Sequence, residues 1–79
     1  MLTDYLQAAM RHAKYEILSD GTFYGEIPDC TGVHANAATL EACRDELAEV
    51  LEEWVLFRVS RNLQLPILDG LALTIKVVG

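Results

Sequence analysis

The sequence has few basic residues and no long apolar run. Only six Lys and Arg residues stand against twelve Asp and Glu residues, which gives a formal charge of −6 and a sequence isoelectric point near 4.6. Unaided nucleic-acid binding needs clustered cations, so this balance argues against it and suits a basic partner or plain solubility. No stretch is apolar enough to cross a bilayer and no signal peptide is visible, so we expect a cytoplasmic protein.

Recognisable catalytic motifs are also lacking. The sequence contains no glycine-rich phosphate loop, no nucleophile elbow and no metal-ligand spacing among its two cysteines and two histidines. We therefore expect no catalytic residue, no metal and no cofactor. His34 could ligate or titrate, or could be an ordinary surface residue. Without an export signal, Cys30 and Cys43 are expected to be reduced thiols rather than a disulfide.

The chain is long enough for one domain, residues 1–79, near the size at which a single core is only marginally sufficient. Its apolar fraction of 52% is high for so small a domain. This composition predicts that a second chain buries part of the apolar surface.

Residues 39–62 are predicted to form one long helix around which the chain is organised. Thr39 suits the N-cap, and Glu41 lies in the first turn, where the helix dipole favours negative charge. Acidic residues occupy the opposite side from an apolar stripe. The stripe consists of Leu40, Cys43, Leu47, Val50, Leu51, Trp54 and Phe57.

The apolar positions change sides in the second half of this helix. Arg58 and Arg61 take the core side, which indicates that the first half packs on a sheet and the second half overhangs it. A short N-terminal helix, residues 2–13, has Leu2, Leu6, Ala9, Met10 and Ala13 at helical spacing and would dock on the overhang of this subunit or a neighbour. We predict a homodimer or higher oligomer whose interface contains Val55, Leu56, Val59 and Leu63.

Four strands are predicted, at residues 14–18, 22–27, 33–36 and 71–78. A three-residue loop ending at Gly21 places Tyr15, Ile17 and Phe23 on one apolar face, whereas a two-residue loop would mix the faces. The fold class is therefore α+β with the order βββαβ after the N-terminal helix. We expect a four-stranded sheet of order 3-2-1-4, formed within residues 14–79, with the long helix on one face.

Three surfaces are candidates for partner binding. The acidic helix face includes Glu49 and Glu53, the open sheet face includes Tyr24 and Glu26, and Asp29 lies in the loop after the second strand. Each surface could equally be plain solvated protein. In the same loop, Pro28 and Gly32 are predicted to have structural roles, because Pro28 cannot donate to a ladder and Gly32 permits a positive φ.

Residues 23–33 (FYGEIPDCTGV), followed by residues 38–42 (ATLEA) and the acidic helix, resemble the HicB-like antitoxin family. Residues 62–67 (NLQLPI) are similar to its segment after the helix. The resemblance spans residues 14–67. Thr31 stands where the family has a turn proline, and residues 36–38 lack the usual Gly-Asp. With the chain ending at Gly79, we do not expect the DNA-binding domain that many members carry.

This resemblance implies a βββαβ fold like part of a ribonuclease H domain. It also implies a non-enzymatic function, the binding and neutralising of a small, basic, mRNA-cleaving HicA-type toxin. The alternative is a small RNA-processing or degenerate ribonuclease H-like enzyme, which would need three or four converging carboxylates. The outward strand positions offer only Glu16 and Glu26, which favours the antitoxin interpretation.

Overall fold

The computed structural model describes residues 2–70 of the 79-residue chain. Two helices and three strands follow one another in the order αβββα. They are α1 (Leu2–Arg11), β1 (Lys14–Ile17), β2 (Phe23–Glu26), β3 (His34–Ala37) and α2 (Leu40–Ser60).

The three strands form an antiparallel sheet of order β1-β2-β3. Ile17 pairs with Phe23, which confirms the predicted register and its three-residue loop. The loop closes with the amide of Leu18 donating to the carbonyl of Thr22 at 2.8 Å. Gly21 takes φ 83°, a conformation that residues with a Cβ rarely adopt.

The predicted four-stranded sheet is wrong for the part of the chain that the structure describes. Residues 2–70 form a three-stranded sheet with two helices, although the α+β class holds. The predicted fourth strand, residues 71–78, lies outside the described residues.

Both ends of α2 are capped by local hydrogen bonds. The Thr39 side chain accepts from the amide of Ala42 at 3.1 Å, as predicted for the N-cap. At the other end, the amide of Leu63 donates to the carbonyl of Arg58 at 2.8 Å. Asn62 between them has φ 55°, so the helix ends in a Schellman turn in which asparagine takes the place of the usual glycine.

One face of α2 packs against β2 and β3. Its fully buried residues follow a spacing of four: Cys43, Leu47, Leu51 and Val55. Two predicted stripe residues are not in the core, since Leu40 is 47% exposed and Phe57 is 53% exposed. The buried row drifts around the helix with each four-residue step, so Val55 rather than Phe57 continues it.

The overhanging half of α2 is partly covered by α1. Tyr5, Ala8 and Ala9 of α1 are fully buried and share one core cluster with Val55. The Tyr5 hydroxyl donates to the carbonyl of Pro66, which ties the segment after α2 to the same core. Of the predicted α1 stripe, Ala9 is buried, whereas Leu2, Leu6, Met10 and Ala13 are only partly buried against the cluster.

Within residues 2–70, neither helix has the length and apolar character needed to span a membrane.

Candidate functional site

The outer side of α2 is an acidic face. It is defined by six carboxylate residues, all of them exposed, and the buried row of the helix lies on the side turned towards the sheet. The acidic face consists of Glu41, Asp45, Glu46, Glu49, Glu52 and Glu53.

Like charges stack along this face. Asp45, Glu49 and Glu53 are spaced by four residues, so neighbours in the row are one helical turn apart. Within residues 2–70, none of the six carboxylates of the acidic face is in an ion pair. The face therefore projects a negative potential that the described structure does not neutralise.

The predicted oligomer-interface residues lie in different environments. Val55 is fully buried in the chain's own core, so it is not available to another chain. Leu56 is 50% exposed and Leu63 is 44% exposed, whereas Val59 is partly buried. The apolar surface at the distal end of α2 therefore centres on Leu56 and extends to Phe57, which the sequence pattern had assigned to the core.

Tyr24 and Glu26 lie on the open face of the sheet, on the side opposite α2. Their hydroxyl and carboxylate approach to 3.3 Å, and the Tyr24 ring stacks on the exposed ring of His34 at a centroid distance of 6.2 Å. Desolvation, followed by the nearby carboxylate of Glu26, raises the pKa of Tyr24. The phenol is therefore neutral and can donate a hydrogen bond at physiological pH.

The loop between β2 and β3 is anchored by its own backbone. The amide of Ile27 donates to the carbonyl of Val33 at 3.1 Å, and Cys30 and Val33 close the turn between them. Gly32 has φ 96°, a conformation that glycine adopts without strain, and Pro28 is exposed. Burial, followed by the charge of Asp29, raises the pKa of Cys30 to about 11, so its thiol is neutral and unreactive.

His12, which follows α1, contacts both this loop and the last described residues of the chain. Its Nδ1 lies 2.7 Å from Oδ2 of Asp29, and its Nε2 lies 2.7 Å from Oδ1 of Asp69. Arg11 also approaches Asp69, at 3.5 Å. We call His12, Asp29 and Asp69 the His12 clasp. Sequence reasoning missed it, because no motif links residues so far apart in the chain.

The five predicted partner-binding residues do not form one surface. Tyr24 and Glu26 face away from α2, Asp29 belongs to the His12 clasp, and Glu49 and Glu53 lie on the acidic face. The acidic face alone carries a set of like side chains on one rigid element, and it is the candidate partner-binding site.

The described surface includes a groove and a smaller cavity. A groove of about 780 Å³ lies between α1, β1 and the first half of α2, with Leu6, Met10 and Tyr15 among its lining residues. A smaller cavity of about 300 Å³ lies beside Trp54 and Arg58. Arg11, Arg44 and Asp45 also line the larger groove, so its walls combine apolar and charged side chains.

Within residues 2–70, no group of three or more His, Cys, Asp and Glu side chains is placed to hold a metal ion. Cys30 and Cys43 are both buried and free. In the His12 clasp the imidazole itself occupies the space between the carboxylates, so they do not converge on a common point.

Comparison with known proteins identifies a family and a solved structure of nearly the same length. The model of the UPF0150-like family matches residues 4–66. A crystal structure of TTHA0281 from Thermus thermophilus is 40% identical, with a TM-score of 0.90 over 96% of this chain and 95% of that one. No curated protein matches the sequence. The matched segment contains α2 and the loop between β2 and β3, and the chain belongs to the UPF0150-like family.

Proposed function

We propose that this protein is a non-enzymatic interaction protein of the antitoxin type, similar to HicB, that binds and neutralises a small, basic, mRNA-cleaving toxin. The observation that carries the proposal is the acidic face of α2. Its six exposed carboxylates lie on one rigid helix and have no ion-pair partner within residues 2–70.

The charge of this face suits the chemistry of such a toxin. An enzyme that cleaves mRNA must attract a phosphate backbone, and it does so with clustered Lys and Arg side chains. A helix that presents a row of carboxylates offers the same cations an alternative partner. Binding would therefore compete directly with RNA, and opposite charges would speed the encounter.

The row of like charges also has a cost that favours a functional explanation. Asp45 and Glu49, and again Glu49 and Glu53, are like-charge pairs at i,i+4, and each destabilises a helix by about 0.2–0.5 kcal/mol. A helix that needed only solubility could alternate acidic and basic residues and gain this energy. The family match, which includes the helix, supports the same interpretation.

The proposal predicts that a gene beside this one encodes a small basic protein, and that protein is the test partner. The two proteins are expected to copurify, and this protein should inhibit RNA cleavage by the other at equimolar ratio. The paired substitution Glu41→Lys and Asp45→Lys should slow association and weaken its dependence on salt, because these charges steer the encounter.

The matched control changes the same number of charges on the open sheet face. Glu16→Lys with Glu26→Lys is expected to leave binding unchanged, since these residues lie opposite α2. Absence of any complex would refute the proposal. Loss of binding in the sheet-face variant alone would reject the acidic face as the site.

A further inference from the structure

The distal half of α2 carries exposed apolar side chains. Leu56 is 50% exposed, Phe57 is 53% exposed, and Leu63 just beyond the helix is 44% exposed. The guanidinium of Arg61 lies over the Phe57 ring, 5.0 Å from its centroid. Arg61 and Phe57 therefore share one surface, and that surface is apolar at its centre and positive at its distal end.

Charge is divided along the length of α2. All six carboxylates of the acidic face lie before residue 54, with Arg44 as the one basic residue among them, and Arg58 and the C-cap residue Arg61 follow residue 54. Glu49, Glu53, Phe57 and Arg61 are spaced by four residues and so follow one row along the helix. We call Glu53, Phe57 and Arg61 the mixed row, and Glu49, one turn before it, stays part of the acidic face. The mixed row passes from acid through aromatic to base.

We propose that the mixed row is the contact between two copies of this chain, packed antiparallel about a two-fold axis at Phe57. Glu53 and Arg61 are each four residues from Phe57, which is about 6 Å along a helix axis. Reversing the direction of one helix therefore places Glu53 of each copy beside Arg61 of the other. The pair forms twice, as a symmetric interface requires.

The mixed row is complementary in charge to an antiparallel copy of itself, so we infer that its binding partner is a second copy of this chain. A basic partner would be attracted by Glu49 and Glu53 but repelled by Arg61. An acidic partner would be attracted by Arg61 but repelled by the two glutamates. A parallel arrangement of two helices would set like charges side by side. Leu56 and Phe57 lie between the two ion pairs, where apolar burial supplies most of the affinity and the charges set the direction.

The neighbouring cation is already engaged within the chain. Nε of Arg58 donates to the carbonyl of Gln64 at 2.8 Å, and its guanidinium lies 4.9 Å from the centroid of the Trp54 ring. Arg61 is thus the cation at the distal end of the mixed row. Glu41 and Asp45 lie at least twelve residues from Phe57, about 18 Å along the helix, so self-pairing leaves them accessible.

Sedimentation equilibrium of the full chain tests the pairing. The wild-type protein is expected to have twice the 8.8 kDa chain mass at micromolar concentration. Glu53→Arg and Arg61→Glu should each weaken the dimer about tenfold or more, because each sets like charges together twice. Combining them exchanges the two signs and should restore most of the affinity.

Two further variants separate this contact from general effects. Glu41→Arg makes the same charge change far from the axis and should leave the mass unchanged. Leu56→Glu should dissociate the dimer with an unaltered circular dichroism spectrum, because Leu56 is half exposed within one chain. A monomer at about 100 µM would overturn the proposal. So would a dimer insensitive to Leu56→Glu, or a combined variant no tighter than the single ones.

Discussion

Nδ1 of His12 lies 2.7 Å from Oδ2 of Asp29, and this contact joins the end of α1 to the loop between β2 and β3. Nε2 lies at the same distance from Oδ1 of Asp69. A carboxylate can only accept a hydrogen bond, so both ring nitrogens must donate, and only a protonated imidazole can do this. The His12 clasp is therefore a histidinium between two carboxylates.

The first prediction is that the His12 clasp makes stability depend on pH. The hydrogen bond with Asp69, followed by that with Asp29, raises the pKa of His12. A raised folded-state pKa stabilises the fold fully below the unfolded value of about 6.5 and loses this effect as pH rises through the folded value. His12→Gln should therefore lower the free energy of unfolding at about pH 6, and less so at about pH 9. Urea denaturation at the two pH values measures this.

The stabilisation that Asp69 contributes to the His12 clasp depends on pH in the opposite direction. The hydrogen bond from His12 lowers the pKa of Asp69, so its contribution is present above about 3.8 and is lost as pH falls through the folded value. Asp69→Asn should move the pKa of His12 down, because it removes the largest cause of the shift. NMR titration of the two imidazoles measures this, and a His34→Gln variant assigns their signals. If His12 titrated identically in the wild type and in Asp69→Asn, the result would contradict the clasp.

The His12 clasp also marks what the sequence could not predict. Its histidine is separated by 17 residues from one carboxylate and by 57 from the other. Such contacts depend on how α1 and the segment after α2 are placed, which no local period encodes. Glu49 and Glu53, by contrast, were assigned to a solvent-facing helix side from the 3.6-residue period alone, and the helix does expose them.

The same contrast holds within the fold. The register of β1 and β2 could be predicted because only one loop length keeps Ile17 and Phe23 on a common face. The prediction that Phe57 faces the core was wrong. Its position continues the apolar spacing of the first half of α2, but the buried row has turned around the helix to Val55 by that point. Tyr5, polar at its tip, was left out of the α1 stripe, yet it is buried with its hydroxyl on Pro66. Buried tyrosines of this kind depend on a distant acceptor.

A second prediction concerns the loop after β2. Gly32 has φ 96°, and a Cβ added there would meet no atom within 4 Å, so backbone strain alone opposes a side chain. Gly32→Val should therefore lower the free energy of unfolding by about 1 kcal/mol or more. Thr31→Ala, one residue earlier and exposed, is the control and should cost much less. Equal urea midpoints for the two variants would refute this account of the turn.

A third prediction concerns Gly25, over which the Tyr15 ring lies across the strand pair. A Cβ at Gly25 would lie 2.9 Å from two ring carbons of Tyr15 and 3.2 Å from Sγ of Cys43. Gly25→Ala should cost about 1–3 kcal/mol through overpacking, although the partly exposed Tyr15 can move. In a Cys43→Ala background the cost should be smaller, because the buried Sγ is gone. Strictly additive costs in this double-mutant cycle would show that Cys43 does not limit the approach.

A fourth prediction is that the purified protein does not cleave RNA with Mg²⁺ or Mn²⁺. Two-metal phosphoryl chemistry needs several converging carboxylates. On the open sheet face, the strand positions facing away from α2 offer Glu16 and Glu26. Metal-dependent cleavage that survives purification, and is lost in Glu16→Ala or Glu26→Ala, would favour the ribonuclease H-like enzyme instead.

The last prediction separates a functional acidic face from a merely solvated one. Glu49→Lys replaces two like-charge i,i+4 contacts, with Asp45 and Glu53, by two contacts of opposite charge. Each contact loses a repulsion and gains an attraction, and each of these changes is worth about 0.2–0.5 kcal/mol. The free energy of unfolding should therefore rise by about 1 kcal/mol. If the acidic face binds a basic toxin, the same variant should bind it more weakly and inhibit RNA cleavage less. Stability would then rise while function falls.

Glu46→Lys is the comparison variant for this trade-off, because its i−4 and i+4 neighbours are Ala42 and Val50 and its one acidic neighbour on the helix surface is Glu49 at i+3. It makes the same change in net charge but should raise the free energy of unfolding by less than Glu49→Lys does, because it reverses a single like-charge contact. Urea denaturation and toxin inhibition are measured on both variants. A Glu49→Lys protein that is more stable and inhibits as well as the wild type would show that the like charges of Glu49 are not retained for binding, and the acidic face would then be no more than a solvated surface.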